Sequence, residues 1–283
     1  MSPMNNRLLV PRKVPGLLDL VPGAAAAYSL RSLSNSYADP VVTVRRSSDN
    51  AEEDFTASEV SDGTLAAFAG AGDAFVKQWW DQSGNANHAS QTTPGYQPKI
   101  VSSGAVILEE GKPAIQFDGS DDRLAANGLA YVFNGEDNPF SVFLLASTDS
   151  SVVSETVFTA STASVNPLVN IYYSLGRLAL YRRDGSGTGT DNTSGATLPS
   201  GRDIVSVTNT GTVDTAYLNG AFNKEKTANL GAITITKTTI GALDRTTVEG
   251  FFSGTISELI IYPSDISSQR ELAEGLIAWG YSV

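Results

Sequence analysis

Short runs in which apolar and polar residues alternate recur along most of this chain, and clusters of Gly, Asn, Asp, Ser and Pro separate them. Alternation of this kind turns every second side chain to one face of a strand. In Val41-Val42-Thr43-Val44-Arg45-Arg46 and Ile204-Val205-Ser206-Val207-Thr208 one face meets a core and the other meets water or a second layer. The same reading predicts strands over Ala27–Leu30, Val41–Arg46, Ala74–Trp80, Ala114–Phe117, Phe140–Ala146, Thr156–Ala160, Asn170–Tyr173, Leu178–Tyr181, Ile204–Thr208, Thr215–Leu218, Ala232–Ile235 and Thr255–Tyr262. Asn219-Gly220 between two such runs is a strong hairpin signal. So many strands exceed a small immunoglobulin-like module, and no repeat of fixed period is present.

Helical patterning is confined to two places. Ser268-Gln269-Arg270-Glu271 has the spacing of a capping box, and Leu272, Leu276, Ile277 and Trp279 follow at helical spacing, which predicts a short C-terminal helix. Thr64–Ala69 is a weaker helical stretch after an Asp-Gly turn. The first residues behave differently again. Pro3, Pro11, Pro15 and Pro22 interrupt any regular structure, while Leu8, Leu9, Val10, Leu17, Leu18, Leu20 and Val21 are too apolar for a solvated tail. The expected division is therefore an extended arm over residues 1–24 and one large β domain over residues 25–283.

Composition narrows the chemistry. At 283 residues with no Cys and one His, the chain has no thiol nucleophile, no disulfide and no multi-histidine zinc site, which leaves carboxylates, hydroxyls, amides and aromatic rings. The net charge of −11 opposes a phosphate backbone, so nucleic acid is not an expected partner. No segment has the length of continuous apolar sequence that a membrane span requires. Nor do Met1 to Lys13 form the apolar run of a signal peptide, so synthesis in a cytoplasm is expected.

Three stretches carry a family resemblance. They are Ala26-Ala27-Tyr28-Ser29-Leu30-Arg31 leading to Val44–Asn50, Trp80-Asp81-Gln82-Ser83-Gly84-Asn85-Ala86-Asn87-His88, and Phe251-Phe252-Ser253-Gly254-Thr255-Ile256-Ser257-Glu258 with Tyr262–Asp265. Together they resemble the β-sandwich of fungal-type α-L-arabinofuranosidases and of phage structural proteins that reuse it. The resemblance implies an all-β, concanavalin A-like lectin/glucanase (laminin G-like) fold, a two-sheet antiparallel jelly-roll sandwich, to which the residue patterns above add a short C-terminal helix and an extended N-terminal arm. It also implies an acid/base carboxylate where Asp244 stands. The nucleophile would belong to the strand matching Leu178–Asp184, which here carries Arg182 and Arg183, with Asp184 out of phase.

The candidate residues follow from their chemistry. Asp81 and Ser83 can cap the turn that Gly84 and the Asn residues make. Alternatively, the oxygens of Asp81, Asn85 and Asn87 bind a sugar or a cation beside a Trp79 or Trp80 stacking face. His88 reads as a turn-packing residue. Tyr172, Tyr173 and Tyr181 are aromatic candidates for glycan contact, and Asp118, Asp121 and Asp122 form a carboxylate run that could hold Ca2+ but lacks the full calcium-loop pattern. Hydrolysis of a glycoside needs two carboxylates, and only Asp244 stands where one is implied. The expectation is a non-enzymatic phage virion protein: a capsid decoration, head fibre or tail component in a multi-copy assembly. Residues 1–24 would anchor it to other virion proteins, and the sandwich would contact host glycans. The alternative is an arabinofuranosidase-like hydrolase using Asp244.

Overall fold

The strand Ser253–Tyr262 is buried along almost all of its length, and its neighbours define the first of two sheets. In the computed structural model, which describes residues 14–136, 138–148, 154–193 and 201–281, Ala26–Ser29 and Ile115–Asp118 pair with successive stretches of one edge of this strand. Phe140–Thr148 pairs with its other edge, and the sheet continues through Asp203–Asn209, Val213–Leu218 and Ala221–Thr227. The second sheet starts at Glu52–Phe55 and runs through Val42–Arg46 and Ala74–Trp79. Ala89–Ser90 and Leu124–Ala125 carry it on to Lys237–Ile240, Glu155–Thr162, Ser164–Tyr173, Leu178–Arg183 and Gly189–Thr193. All these pairings are antiparallel. Lys99–Ser102 joins the sheets, pairing with Ala74–Trp79 and meeting the first sheet at Gln116.

Between the sheets lies the main core. Trp79, Phe158, Ile171 and Leu180 from one side meet Tyr28, Val142, Leu144, Val205 and Leu259 from the other. A second cluster covers the opposite face of the first sheet, where Phe143, Leu145, Ile260 and Tyr262 pack under Ala273, Ile277 and Tyr281 of the C-terminal helix Arg270–Tyr281. A sheet covered on both faces needs unbroken apolar strands, which is why Phe140–Ala146 shows no alternation. The hairpin at Asn219-Gly220 has both residues at positive φ, 50° and 80°, as its two-residue turn demands.

Several expectations are corrected. Among the described residues, the expected arm is not extended where it can be seen: Leu17–Leu20 is a short helix, and Leu17 and Val21 are fully buried in the second cluster. Residues 1–13 lie outside the described residues. The C-terminal helix is entered through the 3-10 turn Ser267–Gln269, whose Ser267 N–H donates to Asp265 at 2.9 Å, rather than through a Ser268–Glu271 box. Its buried face is Ala273, Ile277 and Tyr281, leaving Leu272 and Trp279 exposed. The expected strand over Ala232–Ile235 reduces to a single bridge between Ile233 and Gly135, and the ladder begins at Lys237. A helix over Ala57–Ser61, opened by a Thr56–Glu59 capping box, precedes the expected helix Thr64–Ala69.

Candidate functional site

The string Asp81–His88 closes a turn after the strand Ala74–Trp79 and clamps the first strand of the sandwich. One oxygen of Asp81 accepts the N–H groups of Ala27 and Ser83, both at 2.8 Å, and the other accepts Ser83 Oγ at 2.8 Å and Asn87 N–H at 3.0 Å. Asn85 and Asn87 donate their side-chain amides to the carbonyls of Ala24 and Ala25, at 2.9 and 2.8 Å. Gln82 donates to Ser29 and Arg31 carbonyls and accepts Leu33 N–H at 2.8 Å. Every polar side chain of the string is thereby turned onto the protein's own backbone. Trp79 is 0% exposed and packs its ring 5.6 Å from Tyr28, so it offers no stacking face to a ligand. Trp80 is half-buried, donates to Thr43 Oγ1 at 2.9 Å and lies 4.6 Å from the His88 ring.

The third stretch is also structural. Glu258 is buried and receives Arg31 through two 3.0 Å bonds and Ser29 Oγ at 3.0 Å; burial raises its carboxyl above the usual carboxylate range while the Arg31 guanidinium opposes the rise.

The carboxylates expected near a hydrolytic centre are occupied as well. Asp184 accepts Ser186 N–H and Oγ, Thr188 N–H and Gly231 N–H at 2.7–3.0 Å, bonds that hold its carboxyl below the usual range. Asp244 is paired with Lys237 at 2.8 Å, in the short hairpin Leu243–Asp244 with Val248–Glu249. Arg182 points inward and binds Asp214 at 2.8 Å, both side chains buried. Tyr181 accepts the Arg183 guanidinium at its hydroxyl, with the cation 4.8 Å from the ring, and Tyr173 is buried against Phe252. Tyr181, Asp244 and the clamp thus occupy separate elements and do not converge.

A different place does converge. Where Lys99–Ser102 bridges the two sheets, a groove of about 510 Å³ is lined by Phe75, Pro94, Gly95, Gln97, Lys99, Gln116, Asp118, Asp121, Asp122 and Ser253. Asp118, Asp121 and Asp122 bring carboxylate oxygens within 4.8 Å of one another. Calcium takes six to eight oxygens, and this set supplies three carboxylates. Asp122 is 7% exposed, and its carboxylate accepts the N–H of Asp118 at 3.0 Å. Burial, and then the neighbouring Asp118 charge, push its carboxyl up to about 7, against the pull of that N–H and of Lys99. Lys99 is itself engaged with Asp73 at 2.7 Å. The carboxylate run was evident in the sequence; Phe75, Gln97, Gln116 and Ser253 were not. The available signal was the alternation of Ile115-Gln116-Phe117-Asp118, which sends Gln116 and Asp118 away from the core.

A pH effect follows. The folded chain holds the Asp122 proton more tightly than the unfolded chain, so this group's contribution to stability falls as pH rises from about 4 to about 7 and stays low above that. Asp122→Asn keeps an acceptor for Asp118 N–H and removes the titration. In urea unfolding, the variant should gain on the wild type by about 1–2 kcal/mol more at pH 8 than at pH 5, after allowance for solvent screening in an open groove. An equal difference at both pH values would refute the raised carboxyl.

The architecture defines a large antiparallel β-sandwich, a fold it shares with a solved glycosidase at a TM-score of 0.65. The sequence profile of the family described as "Alpha-L-arabinofuranosidase B, catalytic" matches residues 19–120. A GH54 α-L-arabinofuranosidase mutant soaked with 4-nitrophenyl α-L-arabinofuranoside superimposes with a TM-score of 0.65 at 13% identity, covering 92% of this chain and 63% of that one. The CBM40 of a Ruminococcus gnavus IT-sialidase, bound to α2,3-sialyllactose, gives 0.49 at 15% identity over 58% of this chain and 95% of the module. NanB sialidase from Streptococcus pneumoniae gives 0.49 at 17% identity over 56% of this chain and 26% of that chain. No curated protein sequence matches. The chain thus shares its fold with a glycosidase catalytic domain while spanning less than two thirds of that enzyme. No helix among the described residues is long and apolar enough to cross a membrane.

Proposed function

We propose that this chain is a non-catalytic display domain of a phage virion, a capsid decoration, head fibre or tail component, whose sandwich meets host glycans. The observation that carries this reading is the state of the carboxylates implied by the arabinofuranosidase resemblance. Asp184 is saturated by four donors, Asp244 is paired with Lys237 through one oxygen, and Arg182 holds a buried ion pair on the strand where a nucleophile would stand. A retaining or inverting glycosidase needs two carboxyl groups free to act across one bond. The acidic charge and absence of Cys suit a domain displayed at high copy number, where like charges keep neighbours apart.

Residues 1–13, with Arg7, Arg12, Lys13 and the Leu8-Leu9-Val10 run, are the anchor in this reading. Removing residues 1–24 would also take Leu17 and Val21 out of the core, so the informative truncation stops at residue 13. A chain lacking residues 1–13 should melt like the full chain but be lost from purified particles; incorporation at the full-length level would refute the anchor. The second reading, a hydrolase using Asp244, is favoured by the fold shared with the GH54 enzyme over 92% of this chain. Turnover of an arabinofuranoside separates the two.

A further inference from the structure

The polar groups of this protein are divided unevenly. In the Asp81–His88 clamp each amide and carboxylate is bound to backbone, whereas in the groove beside Lys99–Ser102 several are not. Among the described residues, the Gln116 amide, the Asp121 carboxylate and the Ser253 hydroxyl have no hydrogen-bond partner, and Asp122 uses one carboxylate oxygen, on Asp118 N–H. These groups come from two neighbouring strands and one turn, so their convergence is fixed by the sheet rather than by a loose loop.

We propose that this groove binds the end of an uncharged, hydroxyl-rich glycan, held by Gln116, Asp121, Asp122 and Ser253. The proposal deepens the glycan-contact reading above and rests on it. Acceptors outnumber donors here, which suits a ligand presenting several hydroxyl protons. The three clustered carboxylates, with Lys99 already engaged by Asp73, oppose a sugar that carries its own carboxylate. Three carboxylates alone fall short of the coordination shell of a hard cation, while a sugar hydroxyl both donates to a carboxylate and accepts from an amide. At about 510 Å³ the groove lies within the size range of small-ligand sites.

Gly95 provides a direct test. It lines the groove, and a Cβ built on it meets nothing within 4 Å, so a bulky side chain can start from this position without a backbone clash, and Gly95→Trp is the variant chosen to obstruct the groove. The full chain, Gly95→Trp and the double variant Gln116→Ala with Asp121→Ala are compared on an array of neutral and uronic-acid oligosaccharides, with a thermal melt of each. The wild type should bind neutral glycans at least tenfold more tightly than acidic ones, and both variants should lose at least tenfold while Gly95→Trp melts as the wild type does. Glycan binding unchanged in both variants would place the site elsewhere, overturning this proposal and leaving the glycan reading standing. A preference for acidic sugars would also overturn it. Binding to no glycan at all would overturn both.

Discussion

Asp81→Ala should destabilise the sandwich by about 3–5 kcal/mol in chemical denaturation, because each N–H left without an acceptor away from water costs about 1–3 kcal/mol. Three backbone N–H groups depend on this carboxylate, those of Ala27, Ser83 and Asn87. Ala27 is fully buried in a strand paired with Ser253–Tyr262, so the loss is transmitted to the central strand of the first sheet. Asn85→Ala is the control: its amide reaches Ala24 and Ala25 from an exposed position, and its removal should cost about 1 kcal/mol. If the two substitutions cost the same, Asp81 is not the centre of the clamp.

The second large effect is expected inside the sheet. Arg182→Met leaves Asp214 charged and buried, a situation that costs about 3–5 kcal/mol. Asp214 also receives Asn209 Nδ2 at 2.7 Å, so the charge is built into the turn between Asp203–Asn209 and Val213–Leu218. Combining Arg182→Met with Asp214→Asn removes the unpaired charge and should recover much of the loss. Strictly additive losses in the double variant would mean that the two side chains act independently.

The architecture was largely legible because strand alternation and turn chemistry are local. Asn219-Gly220 marks its hairpin, and Ile204–Thr208 falls inside the strand Asp203–Asn209. What escaped was set by tertiary contacts. Glu52-Glu53-Asp54 is too polar to read as a strand, yet it forms an outer strand beside Val42–Arg46. The helix at the C-terminus turned Ala273, Ile277 and Tyr281 inward because they meet Phe143 and Ile260, a pairing absent from the helix's own pattern. Trp79 looked like a stacking ring only because sequence does not show which of two adjacent Trp residues faces the core. The Asp118–Asp122 run was visible, but Gln116 and Ser253 lie far apart in the chain and meet only because their strands pair at Phe117 and Gly254.

We propose that this sandwich uses its carboxylates for structure and recognition rather than for glycoside hydrolysis. This is tested most directly by release of 4-nitrophenol from 4-nitrophenyl α-L-arabinofuranoside by the full chain, beside Asp244→Asn under the same conditions. The expected rate is the same for both proteins and for buffer. Release above buffer by the full chain, abolished in Asp244→Asn, would contradict it.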